Sequence, residues 1–248
     1  MIAVIVPIYN TEKYLRETID SVICQTLSFA EHIRLILLDD ASTDGSFAIC
    51  EQYQKQYPKQ IVVKHYDTNQ GVSALRNEGV RIAGEMGDEL ITFLDSDDKL
   101  ADDAVEKAKM YFESHEDISV AAIAVKYFGT RDGEQRLNWR FQEMDVVDIK
   151  KQYTFPHYYV GGVFLRKRVL NELHFDETMN FWEDALAINQ VIVSEGKYGL
   201  IQDTFYFYRK REDESSLVIQ RCYRPVMDSY LPTQGKSTIV LFLMCSTW

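Results

Sequence analysis

Three aspartates close one short apolar run: Leu90-Ile91-Thr92-Phe93-Leu94 is followed by Asp95-Ser96-Asp97-Asp98. The run reads as a buried strand, so its end gathers negative charge at one edge of a sheet. Carboxylates this close repel one another unless a cation sits among them or one takes up a proton. Their oxygens suit hard ions such as Mg²⁺ or Mn²⁺, which commonly bridge one or two protein carboxylates to the phosphates of a substrate. The chemistry indicated is diphosphate handling with a divalent metal. The same residues also fit a solvated acidic turn that caps the next helix, so the surroundings must decide.

Five further clusters carry chemistry. Val6-Pro7-Ile8-Tyr9-Asn10 ends an apolar run with an aromatic ring and an amide, which could hold a planar base or simply start a helix. Asp39-Asp40-Ala41-Ser42-Thr43-Asp44-Gly45-Ser46 holds helix-capping residues and a carboxylate able to accept from a nucleobase N–H. Asn69-Gln70-Gly71 leads into a helix with Arg76 one turn in. A helix N-terminus and an arginine fork both favour phosphate, whereas the plain alternative is a surface arginine paired with Glu78 or Asp67. The Gly-x-Gly-x-x-Gly dinucleotide spacing is absent. Trp182-Glu183-Asp184 sits at a helix start, where acids suit the helix dipole and where one could serve as general base. Tyr208-Arg209-Lys210-Arg211 concentrates cations ahead of Glu212-Asp213-Glu214, either as a solvated charge run or as a loop over an anionic leaving group. His65, His115, His157 and His174 lack ligand spacing and read as structural.

The first half must position these clusters. Apolar runs at Ile2–Ile8, Ile33–Leu38, Ile61–His65 and Leu90–Leu94 alternate with helical patterns over 11–26, 46–57, 72–83 and 101–115. Alternation of this kind predicts an α/β fold with a mostly parallel sheet and helices on both faces. Ligands then bind outside the carboxyl ends of the strands, and Tyr9-Asn10, Asp39-Asp40 and Asp95–Asp98 all fall there. After a strand over 118–127 the pattern loosens through 129–139. A broken apolar stretch (158–165), a loop opening a helix (181–194) and a strand (200–208) follow. The C-terminal half is thus less regular.

The chain has 248 residues, 46% hydrophobic and 26% charged, enough for one sizeable core. A net charge of −11 excludes a nucleic-acid binder that works through a basic surface. Cys24, Cys50, Cys222 and Cys245 show no metal spacing and read as reduced, mostly buried thiols of a cytoplasmic protein. The first apolar run lacks a preceding basic region and reads as a strand, not a signal peptide. Ile239 to Cys245 is too short to span a bilayer.

In order and spacing these clusters resemble family-2 glycosyltransferases of GT-A fold, and the likeness runs over residues 1–216. Residues 217–248 match nothing in that pattern and form a tail, either divergent or a remnant of a longer chain. The resemblance implies inverting transfer of a sugar from a nucleotide donor, commonly a UDP-sugar, to a carbohydrate or lipid-linked hydroxyl in envelope or exopolysaccharide synthesis. It implies that Pro7, Ile8, Tyr9, Asn10 and Asp40 hold the uridine, with Gly71 and Arg76 near the donor. Asp95 would meet the ribose or metal, Ser96 would meet the donor, Asp97 would ligate Mn²⁺ or Mg²⁺, and Asp98 would contact the sugar. Asp184 would be the base, while Arg209 and Arg211 would stabilise the departing UDP. Membrane contact, if present, would be peripheral at the cytoplasmic face, because no basic amphipathic helix is evident. A nucleotidyltransferase is the nearest rival, but Tyr9-Asn10-Thr11-Glu12 is not its glycine- and lysine-rich loop. An inactive nucleotide-sugar-binding module is the rival outside enzymes.

Overall fold

The structure, a computed structural model, describes residues 1–130, 135–136, 144–151, 160–179 and 181–210. Its first half alternates β1 (Ile2–Ile8), α1 (Glu12–Ile23), α2 (Phe29–His32), β2 (Ile33–Asp39), α3 (Ser46–Gln56), β3 (Ile61–His65), α4 (Val72–Glu85) and β4 (Leu90–Phe93). Then come β5 (Lys99–Leu100), α5 (Ala104–Ser114), β6 (Val120–Gly129), β7 (Gln135–Arg136), β8 (Val146–Asp148), β9 (Val163–Arg166), α6 (Glu183–Glu195) and β10 (Lys197–Lys210).

All strands join one sheet in the order β3-β2-β1-β4-β9-β6-β10-β5, with β7 on β6 and β8 on β10. The long pairings, β3-β2-β1-β4 and β6-β10, are parallel. The short strands β5, β7, β8 and β9 pair antiparallel and complete the second half. Every residue of β1 is buried, as its unbroken apolar run requires of a strand covered on both faces. Alternate side chains serve opposite layers. Val4 and Val6 pack with Leu15 and Ile19 of α1, while Ala3 and Ile5 pack with Leu75 and Val80 of α4.

Three details depart from the sequence expectation. Residues 99–100, just ahead of the anticipated helix, form a short strand paired with Tyr206 and Phe207, and the helix itself begins at Ala104. Antiparallel β9 is inserted between β4 and β6. The last strand runs longer than 200–208 and carries an irregularity between Ile201 and Phe205. Cys50 is buried and its thiol is pushed up to about 12, mainly by burial, but Cys24 is exposed. Cys222, Cys245, His157 and the tail lie outside the described residues. Among the described residues no helix is long and apolar enough to cross a membrane.

Gly79 lets α4 approach β1, since a Cβ there would stand 2.3 Å from Cγ2 of Ile5, whereas a Cβ at Gly84 would meet nothing within 4 Å. Gly79→Ala should therefore lower unfolding stability by roughly 1–3 kcal/mol through overpacking. Gly84→Ala should raise it by roughly 0.5–1 kcal/mol through helix propensity. Urea denaturation of both variants checks this, and a gain from Gly79→Ala would contradict the close approach of helix and strand.

Candidate active site

The carboxyl ends of β1, β2 and β4 open onto a cleft of about 450 Å³ lined by Pro7, Ile8, Tyr9, Asp40, Asn69, Gly71, Val72, Leu75, Asp95, Ser96 and Asp97. Two loops form one wall, and side chains lace them together. The Asn10 N–H donates to Ser42 Oγ at 3.0 Å, and the Thr43 N–H donates to Asn10 Oδ1 at 2.8 Å. The Thr11 N–H donates to Ser46 Oγ at 2.9 Å, and the Glu12 N–H to Asp44 Oδ2 at 3.0 Å. Thr11 is the N-cap of α1 but makes no side-chain cap bond, so the facing loop supplies the acceptors. Asn10 and Ala41 adopt left-handed backbone at φ 53° and 59°. Tyr9 projects from this wall, 51% exposed. Asp40 is buried and accepts the Gln70 N–H at 2.6 Å and the Gly71 N–H at 2.9 Å, which fastens the loop before α4 to the same wall. Gly71 has φ 88°, a conformation that favours glycine.

The aspartate turn forms the opposite wall. The Asp98 N–H donates to the Asp95 carbonyl at 3.0 Å and closes the turn. From beneath, the Thr18 hydroxyl lies 3.0 and 2.8 Å from the carbonyl oxygens of Ser96 and Asp98 and shares its hydrogen between them. The buried Tyr206 hydroxyl accepts the Asp95 N–H at 3.2 Å and donates to Asp98 Oδ2 at 2.7 Å. Asp98 Oδ1 accepts the Arg209 N–H at 2.7 Å. Asp98 is thus turned inward, 2% exposed. Burial first, then the neighbouring Asp95 and Asp97 charges, hold its carboxyl well above the usual range. Gly161 gives Tyr206 its place, because a Cβ there would lie 2.5 Å from the ring.

Arg209 also braces this turn. Its Nε donates to the Asp97 carbonyl at 2.6 Å and its Nη2 to Glu17 at 2.5 Å, with the guanidinium over Tyr14 and Phe128. Partial burial opposes the Glu17 charge, yet bonds from Arg209 and Lys99 hold its pKa below the ordinary value.

One guanidinium joins the turn to α6. Arg76 is 5% exposed; it donates through Nη2 to Asp95 Oδ1 at 3.2 Å and through Nη1 to Glu183 Oε1 at 2.9 Å. It lies 5.6 Å from the Phe175 ring. Asn77, the next residue, exchanges two hydrogen bonds with the Phe175 backbone at 2.8 and 2.9 Å. Burial disfavours the Arg76 charge, but Asp95, Asp184 and Glu183 outweigh it and keep the pKa above the ordinary value. Asp184 accepts the Ala185 N–H at 2.7 Å and the Val160 N–H at 3.3 Å. Burial raises its carboxyl to about 6 against the opposing pull of Arg76. A carboxylate poised there can take a proton near neutral pH.

Among the described residues no three His, Cys, Asp or Glu side chains form an enclosing metal site. Asp95 and Asp97 both line the cleft, and their hard oxygens suit a divalent ion completed by substrate phosphates. Of the residues picked from sequence, Pro7, Ile8, Tyr9, Asp40, Gly71, Asp95, Ser96 and Asp97 line the cleft. Arg76 and Asp184 join it through Asp95 and α6. Asn10, Asp98 and Arg209 direct their polar bonds into the scaffold, and Arg211 lies outside the described residues. The supporting contacts of Thr18, Asn77, Glu183 and Tyr206 were not anticipated. Glu183 stood in the sequence beside Asp184, whereas Thr18 and Tyr206 carry no local signal.

Residues 3–174 match Glycosyl transferase family 2. The chain is 38% identical over 243 residues to the minor teichoic acid biosynthesis protein GgaA of Bacillus subtilis (strain 168), covering 97% of this chain and 54% of that protein. It is 39% identical over 218 residues to GgaB of the same organism, covering 86% and 23%. It therefore spans about half of one relative and about a quarter of the other. The structure is similar to S. aureus TarS 1–349 in complex with UDP-GlcNAc, with TM-score 0.73 at 23% identity, covering 98% of this chain and 71% of that one. It is also similar to the mannosyltransferase PcManGT from Pyrobaculum calidifontis in complex with GDP-Man and Mn²⁺, with TM-score 0.68 at 16% identity, covering 98% and 68%. These two likenesses carry the GT-A fold. With a family match over most of its length, the chain belongs to glycosyl transferase family 2.

Proposed function

We propose that this chain is an inverting glycosyltransferase that moves a sugar from a UDP-sugar to a hydroxyl acceptor in the synthesis of a cell-envelope polymer, at the cytoplasmic face. The observation that carries this reading is the Arg76 bridge, which sets the Asp184 helix against the aspartate turn at one end of the cleft. Tyr9 and Asp40 line the same cleft as that turn. The envelope assignment is supported by the teichoic acid relatives, and the nucleotide by the UDP-GlcNAc bound to TarS.

In this reading Tyr9 and the wall formed by Pro7, Ile8 and Asp40 receive the uridine. The Asp95 and Asp97 carboxylates hold Mn²⁺ or Mg²⁺, which when bound supplies counter-charge to the leaving diphosphate. Asp184 removes the proton from the acceptor hydroxyl as that oxygen attacks the anomeric carbon. One base without an enzyme nucleophile means a single in-line displacement, hence inversion. Asp98 and Arg209 shape the aspartate turn from behind. The sugar contact expected of Asp98 rests on the family resemblance, and both of its carboxylate oxygens are bonded inside the protein. The leaving-group role of Arg211 rests on the family resemblance alone.

Release of UDP from a panel of UDP-sugars with Mn²⁺ tests the reading. Slow hydrolysis of one donor is expected, reduced to background by Asp97→Ala. Pyrophosphate release from a nucleoside triphosphate would identify a nucleotidyltransferase instead, and inertness throughout would identify a binding module.

The carboxyl at Asp184 is neutral below about 6 and charged above it. Since the charged form accepts the proton, kcat/KM should rise with pH through an acid limb near 6. Asp184→Asn should remove that limb and lower kcat by roughly 10²–10⁴-fold while UDP affinity is retained. Parallel loss of UDP binding would remove Asp184 from the base role.

A further inference from the structure

Asp39 and Asp40 are consecutive, and each carboxylate ties down a different loop of the cleft. Asp40 holds the loop before α4, as described. Asp39, the last residue of β2, is fully buried, and its Oδ2 accepts the Ser42 N–H at 3.2 Å. The same oxygen lies 2.7 Å from Nδ1 of His65 at the end of β3. An ionised carboxylate can only accept, so Nδ1 carries the hydrogen. Asp39 Oδ1 has no partner among the described residues. A buried carboxylate with so few donors is costly to its fold, and loss of one donor leaves the remaining contacts to relax.

The path continues to the ligand side. Ser42, held by Asp39 through its N–H, accepts the Asn10 N–H through Oγ. Asn10 in turn holds Thr43 and sits next to the projecting Tyr9 ring. The His65 side chain is one third exposed and stacks on Phe47, with ring centroids 4.2 Å apart and planes 28° from parallel. It therefore makes two separable contacts: a hydrogen bond to Asp39 and a ring stack on α3.

We propose that His65 is a positioning residue for nucleotide binding, acting through its Nδ1–H on Asp39 to hold Ser42 and the Tyr9-Asn10 turn in place. This rests on the reading of the cleft as the UDP site. The stack on Phe47 contributes to stability alone.

Two substitutions separate the contacts. His65→Phe keeps a ring against Phe47 and removes the hydrogen bond. His65→Asn removes the ring and places Nδ2–H where Nδ1–H stood. UDP affinity is measured by titration calorimetry with Mn²⁺ below the melting temperature of every variant, alongside kcat at saturating donor. His65→Phe should weaken UDP binding by roughly tenfold, the size expected when a hydrogen bond to a charged acceptor is lost. His65→Asn should bind UDP like the unaltered protein despite a lower melting temperature, and kcat should be unchanged in both. Wild-type affinity in His65→Phe, or equal weakening in both variants that follows their loss of stability, would overturn the proposal while leaving the UDP cleft intact. Absence of UDP binding by the unaltered protein would overturn the cleft reading and this proposal together.

Discussion

The buried guanidinium of Arg76 is the contact on which the rest of the site depends. Its two nitrogens reach a carboxylate of the aspartate turn and a carboxylate of α6, two segments 88 residues apart in sequence as Asp95 and Glu183. Arginine suits the place because it stays charged when buried and presents a rigid fork. The Arg76–Glu183 pair is almost fully enclosed, with 6% and 12% of the two side chains exposed. Breaking a pair of that kind by removing one partner costs roughly 3–5 kcal/mol, because the remaining charge is left without its counterion. Without Arg76, Asp95, Glu183 and Asp184 would face one another unscreened. The same charge restrains the rise of the Asp184 carboxyl that burial would otherwise produce. One side chain thus sets both the distance between the aspartate turn and α6 and the proton affinity of Asp184.

The acidity of the chain has a structural use around this centre. Asp40, Asp44, Glu12 and Asp98 each accept backbone N–H groups from loops, helix starts or the β10 strand around the cleft. Charge-assisted bonds of this type are stronger than neutral ones and hold loops that have little apolar surface of their own. Carboxylates directed at amides are partly neutralised by them, so an acidic protein can still offer a cleft to a diphosphate. Asp95 and Asp97 line the open cleft, as Asp40 does.

Much of the first half was legible because its strands are continuous apolar runs and its helices keep a clear 3.6-residue pattern. The clusters at Tyr9, Asp40 and Asp95 could be placed together because parallel strands deliver their carboxyl ends to one edge. Contacts made across the sheet were not legible. Tyr206 reaches Asp95 and Asp98 from more than 100 residues away, and nothing local marks it out from the neighbouring tyrosines. Thr18 looked like an ordinary helix residue until its hydroxyl was seen beneath the turn. Gly161 read as a break in an apolar stretch, whereas it is the space that the Tyr206 ring requires. The short antiparallel strands β5 and β9 escaped because two to four residues are too few to show a period.

The central claim is that the cleft and α6 form one site with the nucleotide at one end and the base at the other. A crystal structure with UDP and Mn²⁺ tests it most directly. The account predicts the uracil between Tyr9 and Asp40, the diphosphate against Asp95 and Asp97, and Asp184 facing the free end of the β-phosphate. A nucleotide bound elsewhere, or an Asp184 carboxylate turned away from that phosphate with the Arg76 bridge intact, would contradict it.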